Sequence, residues 1–265
     1  MQNSVKQPHW DAELYKKNSI KLQQTSAIEL IDKLEFKPNC KILDVGCGDG
    51  KITVRIAEKF PGSVIIGTDL SEDMITLAKQ DHAGIDSVQF LVQNAEKSLY
   101  KKTFDWVFSF FCLQWVINKQ DALNNIANAL KPNGQIALIM TDRNQYLLRS
   151  RNKIISEKKW KPYFINYEDI TTVIDNDDYE NYAHNAGLDS LVYTEKVKDI
   201  FFKNQKELFT FISMITPAKK YLPIGLQESF IKTLTKEYIN EIPEKLGSKW
   251  YISYTLKTLR GTKMG

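Results

Sequence analysis

The first 140 residues alternate between two spacings of apolar side chains. Short apolar runs, which predict buried strands, are separated by segments whose apolar residues recur every three or four positions, which predicts amphipathic helices. The predicted strands cover residues 41–45, 63–68, 88–92, 104–108 and 135–140. The predicted helices cover residues 52–60, 71–80 and 121–130, and one or two more lie within residues 12–34. This alternation predicts an α/β fold in which helices cover both faces of a parallel sheet.

The pattern becomes less regular after residue 141. Residues 149–161 are rich in lysine and arginine and are typical of a solvated helix face. Helical segments at 178–186, 208–215 and 230–238 and strands at 191–202 and 250–256 follow. We expect an N-terminal helical cover over residues 1–40 and a cofactor-binding core over 41–142. Residues 143–265 then supply a lid or substrate region and the last two strands.

Composition argues against several classes of function. The 36 basic and 32 acidic residues give a net charge of +4 and form no basic run, which argues against nucleic acid as a partner. There is neither a long apolar run nor a signal peptide, so we expect a cytoplasmic protein that does not bind membranes. The three cysteines, Cys40, Cys47 and Cys112, lack metal-ligand spacing. No metal site is therefore predicted.

Residues 44–50 read DVGCGDG and lie between the first predicted strand and the helix after it, where open α/β sheets bind ligands. Gly46, Gly48 and Gly50 permit positive φ and carry no Cβ, so the backbone can lie against a ligand. A dinucleotide-binding loop has the spacing G-x-G-x-x-G, whereas Lys51 occupies its last position here. The segment is a candidate ligand-binding loop, although the letters alone would also fit a tight turn.

Asp69 comes at the end of the second predicted strand, directly after residue 68, at the place from which an acidic side chain reaches both ribose hydroxyls of a nucleotide-like ligand. Together with the glycine loop, it predicts a cofactor that contains a ribose.

With these motifs the chain resembles class I S-adenosylmethionine-dependent methyltransferases, from about residue 15 to residue 140. Residues 43–50 resemble their first motif, residues 68–74 their ribose motif, and residues 130–134 the turn before their fifth strand. The resemblance implies a Rossmann-like, seven-stranded doubly wound sheet whose last strand is antiparallel, with N-terminal helices and a C-terminal helical lid. It also implies S-adenosyl-L-methionine as the cofactor, whose sulfonium cation and lack of phosphate suit an acidic residue at the strand end.

The resemblance further implies which residues contact the cofactor. Asp44 is expected near its methionine moiety, Asp69 and Leu70 at the ribose, Met74 beside the adenine, and Ser109 at the methionine end.

Two further pairs of residues belong to the predicted cofactor site. Many members of the family have Asp-Ala after the third strand, where this chain has Asn94 and Ala95. The amide carbonyl of Asn94 can still accept from the adenine amino group, although a simple turn is an equal alternative. Tyr15 and Gln23 resemble the family's N-terminal cover over the cofactor, and ordinary packing and solvation are the alternative for them.

A narrower resemblance rests on residues 104–116, FDWVFSFFCLQWV, together with residues 10–15 and Gln23. These resemble the trans-aconitate, juvenile hormone acid and malonyl-acyl carrier protein carboxyl O-methyltransferases, in which Leu-His/Gln-Trp lines the reaction centre. Here those positions are Leu113, Gln114 and Trp115. Amide and indole N–H groups can hold an acceptor-only carboxylate, whereas core packing of Trp115 and a surface position for Gln114 are the alternative.

The predicted reaction is O-methylation of a small organic acid, which needs positioning and desolvation but no general base because the acid is already ionised. Two alternatives stay open. The acid is carried on a carrier protein that docks on the basic segment 149–161, or the domain binds cofactor and partners without catalysis. Arg143, after the fifth strand, is a candidate partner for a substrate carboxylate, and solvation is the alternative for it.

Overall fold

The computed structural model describes residues 20–35, 37–97, 100–142, 144–165, 167 and 178–265. Seven strands form one sheet in the order β3-β2-β1-β4-β5-β7-β6. The strands are β1 Lys41–Val45, β2 Val64–Asp69, β3 Val88–Val92, β4 Phe104–Phe110, β5 Leu130–Thr141, β6 Leu188–Phe201 and β7 Tyr251–Lys263. Neighbours among β1 to β5 are parallel, and β7 pairs antiparallel with both β5 and β6. The predicted sheet, including its antiparallel last strand, is confirmed.

Eight α-helices lie within the described residues. They are α1 Ile20–Ile31, α2 Lys51–Lys59, α3 Glu72–Asp81, α4 Lys119–Ala129, α5 Gln145–Ser156, α6 Tyr179–Asn185, α7 Gln205–Met214 and α8 Ile224–Glu241. Short polar side chains begin several of them: Ser71 accepts from the backbone N–H of Met74, and Asn118 accepts from that of Asp121. No helix in this part of the chain is both long enough and apolar enough to span a membrane.

Separate apolar clusters cover the two faces of the sheet. On one face, α4 and α6 pack against β1, β4 and β5 through residues such as Leu123, Ile126 and Tyr179. On the other face, α1 and α2 pack through Ala27 and Ile56. Helices on both faces define a doubly wound sheet, as the alternation of strands and helices predicts.

A third apolar cluster lies outside the sheet. It joins α5, α7 and α8 to the first residues of β7, with Trp160, Phe230 and Tyr238 fully buried among its members. Helix α5 begins at its cap residue Asn144, whose Nδ2 donates to the carbonyl of Ser253 on β7 at 2.8 Å. This helical layer therefore lies beside the carboxyl end of β5.

Three of the differences between the structure and the predictions concern β5, β7 and α5. β5 begins at Leu130 and not at residue 135, because the turn around Asn133 (φ 62°) is an irregularity within the pairing of β4 and β5. β7 runs to Lys263, seven residues beyond its predicted end, where the alternation is weak because many of its polar residues are half-buried against β6. α5 is a separate helix with Arg151 buried, whereas residues 149–161 were predicted to be solvated.

Candidate active site

The site lies where the strand order changes direction. β1 lies between β2 and β4: the chain runs outward from β1 through β2 to β3 and then crosses back to β4 on the other side of β1, which opens a crevice at the carboxyl ends of β1 and β4. The backbone N–H groups of Gly46 and Cys47 both donate to the carbonyl of Thr68, at 2.7 and 2.9 Å. The glycine loop is thereby fixed across the ends of β1 and β2.

The three glycines of this loop have positive φ but different surroundings. A Cβ on Gly46 would lie 2.2 Å from the Cβ of Cys112, so Gly46 allows the segment after β4 to approach the loop closely. A Cβ on Gly50 would lie 2.6 Å from the ring of Phe90. A Cβ on Gly48 would meet nothing within 4 Å, and Gly48 lines the cavity described below. Gly48 thus leaves room for a ligand, whereas Gly46 and Gly50 leave room for the protein itself.

Asp44 is buried behind the loop, with 2% of its surface exposed. The hydroxyl of Thr53 donates to its Oδ2 at 2.6 Å. Burial raises the pKa of Asp44 to about 7; the bond from Thr53 lowers it, and the nearby charge of Asp69 raises it further. Asp44 is not among the residues that line the cavity described below.

Asp69 lines the cavity and organises the loop. Its Oδ2 accepts from the backbone N–H of Gly48 at 3.0 Å, and its Oδ1 accepts from that of Ser71 at 2.9 Å. Burial raises the pKa of Asp69, and these two backbone hydrogen bonds lower it in part. Leu70 and Met74, from the same motif, also line the cavity.

Asn94 and Ala95 follow β3 and line the cavity as well. The Oδ1 of Asn94 accepts from the backbone N–H of Glu96 at 2.8 Å, which is the turn-forming role considered above. The carbonyl of Ala95 accepts from Asn125 Nδ2 at 3.0 Å. The amide carbonyl of Asn94 has a second lone pair, so its turn role leaves it able to accept from a ligand.

The segment after β4 brings Gln114 and Trp115 to the cavity. A short 3₁₀ helix, Leu113–Trp115, follows Cys112, and both side chains line the cavity wall. Gln114 Nε2 donates to the carbonyl of Phe111 at 3.0 Å, while its buried Oε1 has no hydrogen-bond partner among the described residues. The second N–H of this amide makes no hydrogen bond within the part of the chain that the structure describes, so Gln114 presents both a donor and an acceptor.

Ser109 does not line the cavity. Its side chain is fully buried and donates to the carbonyl of Val45 at 2.8 Å, which joins the end of β4 to the end of β1. A place beside the cofactor's methionine was expected for Ser109, but the geometry gives it a supporting role.

Cys47 and Cys112 are thiols at neutral pH because burial raises both pKa values, that of Cys112 to about 12.

The cavity has a volume of about 560 Å³, which is enough for a cofactor and a small acceptor. Its strand-end side holds the glycine loop, Asp69, Asn94 and, from α1, Gln23. Its opposite side, called the helical side because α5 and α7 contribute to it, is mostly apolar and includes Leu147, Leu148, Phe211, Met214 and Ile215, together with Phe110 and Phe111 at the end of β4 and Ile252 of β7. Tyr15 and Arg143 lie outside the described residues. No group of three or more potential metal ligands occurs in the described part of the chain.

Several residues on the helical side were not predicted as site residues. Helix α5 contributes Leu147, Leu148 and Arg151, and β7 contributes Tyr254. The spacing of 147, 148 and 151 is that of one helix face, and this was the available signal. The many charged residues that follow in the segment 149–161 made this spacing hard to recognise.

Comparison with known proteins agrees with this geometry. The family described as a methyltransferase domain matches residues 36–187, more than half of the chain. Protein 235L of Invertebrate iridescent virus 6, provisionally named a methyltransferase, is 29% identical over 233 residues, which cover 88% of this chain and 86% of that protein.

Two shorter alignments are to proteins named O-methyltransferases. Malonyl-[acyl-carrier protein] O-methyltransferase 2 of Ilyobacter polytropus is 33% identical over 137 residues, covering 51% of this chain and 53% of that one. Juvenile hormone acid O-methyltransferase of Bombyx mori is 32% identical over 139 residues, covering 49% of each chain. Both alignments span about half of the relative's length.

Among solved structures, the YcgJ protein of Bacillus subtilis superposes with a TM-score of 0.62 at 15% identity, covering 91% of this chain and 99% of that one. At 15% sequence identity, this similarity shows a shared fold and nothing about function. Taken with the family match, it leads to one conclusion: the chain belongs to the methyltransferase domain family and is an S-adenosylmethionine-dependent methyltransferase.

Proposed function

We propose that this methyltransferase O-methylates the carboxylate of a small organic acid. The observation that carries the proposal is the position of Gln114 and Trp115. They follow Cys112, whose side chain fills the space beside Gly46, so the segment that bears them packs directly on the glycine loop. Both residues line a cavity that extends from that loop to the apolar helical side. In this proposal they lie between a cofactor on the loop and an acceptor beneath the helices.

S-adenosylmethionine, when bound, supplies a methyl group on a sulfonium sulfur. A carboxylate oxygen forms the new C–O bond as the S–CH₃ bond breaks, and the electron pair of that bond stays on sulfur. Since the acid is ionised at neutral pH, no residue has to remove a proton. What the protein contributes is orientation and exclusion of water.

The residues match these requirements. The indole N–H of Trp115 and an amide N–H of Gln114 are donors, and a carboxylate only accepts. The apolar side chains of α5 and α7 surround the remainder of the acceptor and keep water from the reacting oxygen. In this proposal Gly48 leaves space for the cofactor, Asp69 binds its ribose, Leu70, Met74, Asn94 and Ala95 surround its adenosine part, and Gln23 covers it.

The named relatives support the same class of acceptor. One relative is named as an O-methyltransferase of juvenile hormone acid and the other as an O-methyltransferase of a malonyl group on an acyl carrier protein, and both of these acceptors contain a carboxyl group. The name of the malonyl-acyl carrier protein enzyme also leaves open a substrate whose acid is carried by a protein. On the charged segment, Lys153 pairs with Glu237, and Lys159 Nζ lies 4.3 Å from the centre of the Trp160 ring, so these two cations contact the protein's own side chains. We therefore propose a free acid, and not a carrier-bound acid, as the substrate.

The test measures methyl transfer to a panel of free carboxylic acids and to their primary amides. For the shortest diacid in the panel, its thioester with a carrier protein is tested as well. Methyl transfer to a free acid with no transfer to its amide supports the proposal, because the amide has the same shape without an ionised oxygen. Transfer to the amides at equal rate, or to the thioester alone, contradicts it.

A further inference from the structure

His82 directly follows α3, and its half-buried side chain contacts the glycine loop from outside the cavity. Its Nε2 lies 3.0 Å from the backbone carbonyl oxygen of Asp49. A carbonyl oxygen only accepts, so Nε2 carries the hydrogen and donates it. Neither His82 nor Asp49 is among the residues that line the cavity. The imidazole therefore acts on the backbone of the loop and not on a ligand.

The same imidazole packs on the next residue of the loop. A Cβ on Gly50 would lie 3.0 Å from Cδ2 of His82 and 2.6 Å from the ring of Phe90. The centres of these two rings are 6.0 Å apart, so they form one surface behind the loop. Gly50 has a φ of 78° and is the residue at which α2 begins. His82 thus contacts the loop where it turns into the helix.

The contacted carbonyl is one residue away from Gly48, the glycine that lines the cavity. On the cavity side, the N–H of Gly48 donates to Oδ2 of Asp69 at 3.0 Å. On the other side, His82 holds the carbonyl of Asp49. No backbone N–H in the described part of the chain donates to that carbonyl. Removal of the imidazole therefore takes a hydrogen-bond partner from the loop beside the residue that meets the ligand.

We infer that His82 is a positioning residue for the cofactor. It fixes the carbonyl of Asp49 outside the cavity, and Gly48, one residue earlier, is thereby held in the conformation that lies against the ligand. This role concerns the cofactor side of the site and is the same whichever acceptor is methylated. His184 provides a comparison, because it lies in the last turn of α6 and its side chain is exposed.

The experiment compares amide side chains of two lengths at position 82. A glutamine amide N–H reaches the place of the imidazole Nε2, whereas an asparagine is one carbon shorter. Calorimetry measures the Kd of S-adenosylhomocysteine for the wild type, His82→Gln, His82→Asn, His82→Leu and the matched control His184→Leu. The Asn and Leu variants should raise Kd about three- to tenfold, as expected for losing one hydrogen bond between uncharged groups, and His82→Gln should stay within about twofold of the wild type. His184→Leu should match the wild type.

Nitrogen NMR of the wild type separates positioning from general stabilisation. The chain has three histidines, so their ring signals can be assigned by substitution. The neutral ring of His82 should carry its hydrogen on Nε2, and its signals should shift when S-adenosylhomocysteine is added, whereas those of His184 should not. Equal Kd values for His82→Gln and His82→Asn would overturn the inference, and so would His82 signals that do not respond to the ligand. If His82→Leu fails to fold, the comparison of the two amides still decides.

Discussion

The hydroxyl of Thr53 on α2 donates a hydrogen bond of 2.6 Å to Oδ2 of Asp44 at the end of β1, and both side chains are buried. Burial raises the pKa of Asp44 to about 7, and the bond from Thr53 opposes that rise because it stabilises the ionised carboxylate. The charge of Asp44 therefore changes within the physiological pH range.

We expect affinity for S-adenosylmethionine to increase from about pH 6 to about pH 8, because the sulfonium cation interacts more favourably with an ionised Asp44. S-adenosylhomocysteine, which lacks that charge, should show a smaller dependence. Thr53→Val should move the midpoint of the S-adenosylmethionine profile to higher pH. Calorimetric titrations at a series of pH values measure the midpoint, and a midpoint at or below that of the wild type in Thr53→Val would contradict the account.

The control for this prediction is Asp44→Asn, which removes the titrating group. In the wild type, the raised pKa contributes stability that is complete below the ordinary value of 3.8 and is lost as pH rises through about 7. The Asn variant should lose this part of the pH dependence of its unfolding free energy. It should also flatten the S-adenosylmethionine profile.

Gly46→Ala and Gly48→Ala should fail in different ways. Both positions have positive φ, 78° and 55°, so each alanine costs about 1–2 kcal/mol of backbone strain. At Gly46 the new Cβ would also collide with Cys112, so thermal stability should fall further. At Gly48 the new Cβ would meet no protein atom within 4 Å and Gly48 lines the cavity, so the protein should fold but bind S-adenosylhomocysteine at least about tenfold more weakly. Equal affinity of Gly48→Ala and the wild type would show that the cofactor does not lie against Gly48.

Asp69→Ala should lose most of the cofactor affinity while the protein remains folded. The substitution removes a charged acceptor for the ribose and also the acceptor for the N–H groups of Gly48 and Ser71. A loss of about 1.5–3 kcal/mol, roughly 10- to 100-fold, is expected by calorimetry with S-adenosylhomocysteine. The exposed Asp86→Ala serves as the control. If both variants bind with the same affinity, Asp69 has no part in the site.

Trp115→Phe should leave cofactor affinity intact and reduce turnover by about 10- to 100-fold, because it deletes one N–H donor to the carboxylate and keeps most of the aromatic surface. Trp250→Phe, at a Trp outside the cavity lining, is the matched control. Gln114→Ala should act in the same direction. Turnover at the wild-type rate in both Trp115→Phe and Gln114→Ala would remove this pair from the acceptor site.

The sequence carried strong signals for the half of the fold that binds the cofactor. Its strands are nearly continuous apolar runs, since they are buried on both faces, and its glycine loop and Asp69 have fixed places at the strand ends. The edge strand β6 is mostly exposed, and much of β7 is polar where it pairs with β6, so their bounds were less clear.

The acceptor side was harder to predict because it is assembled from distant parts of the chain. Leu147, Phe211 and Ile252 meet in one cavity only after α5, α7 and β7 pack together. Likewise, the burial of Arg151 depends on residues far from it in sequence, and only its spacing from Leu147 and Leu148 distinguishes it from Arg149. The supporting role of Ser109 follows from its contact with Val45, which no spacing along the chain reveals.

The alkali stability of the transferred methyl group tests carboxyl methylation most directly. Wild-type protein is supplied with S-adenosylmethionine labelled in its methyl group and with a panel of dicarboxylic and monocarboxylic acids, and the purified products are treated with mild alkali. Methyl esters hydrolyse under these conditions, so the account predicts that the label leaves the product as volatile methanol. Label that remains on the product after alkali, as it would on a nitrogen or a carbon atom, would contradict the account.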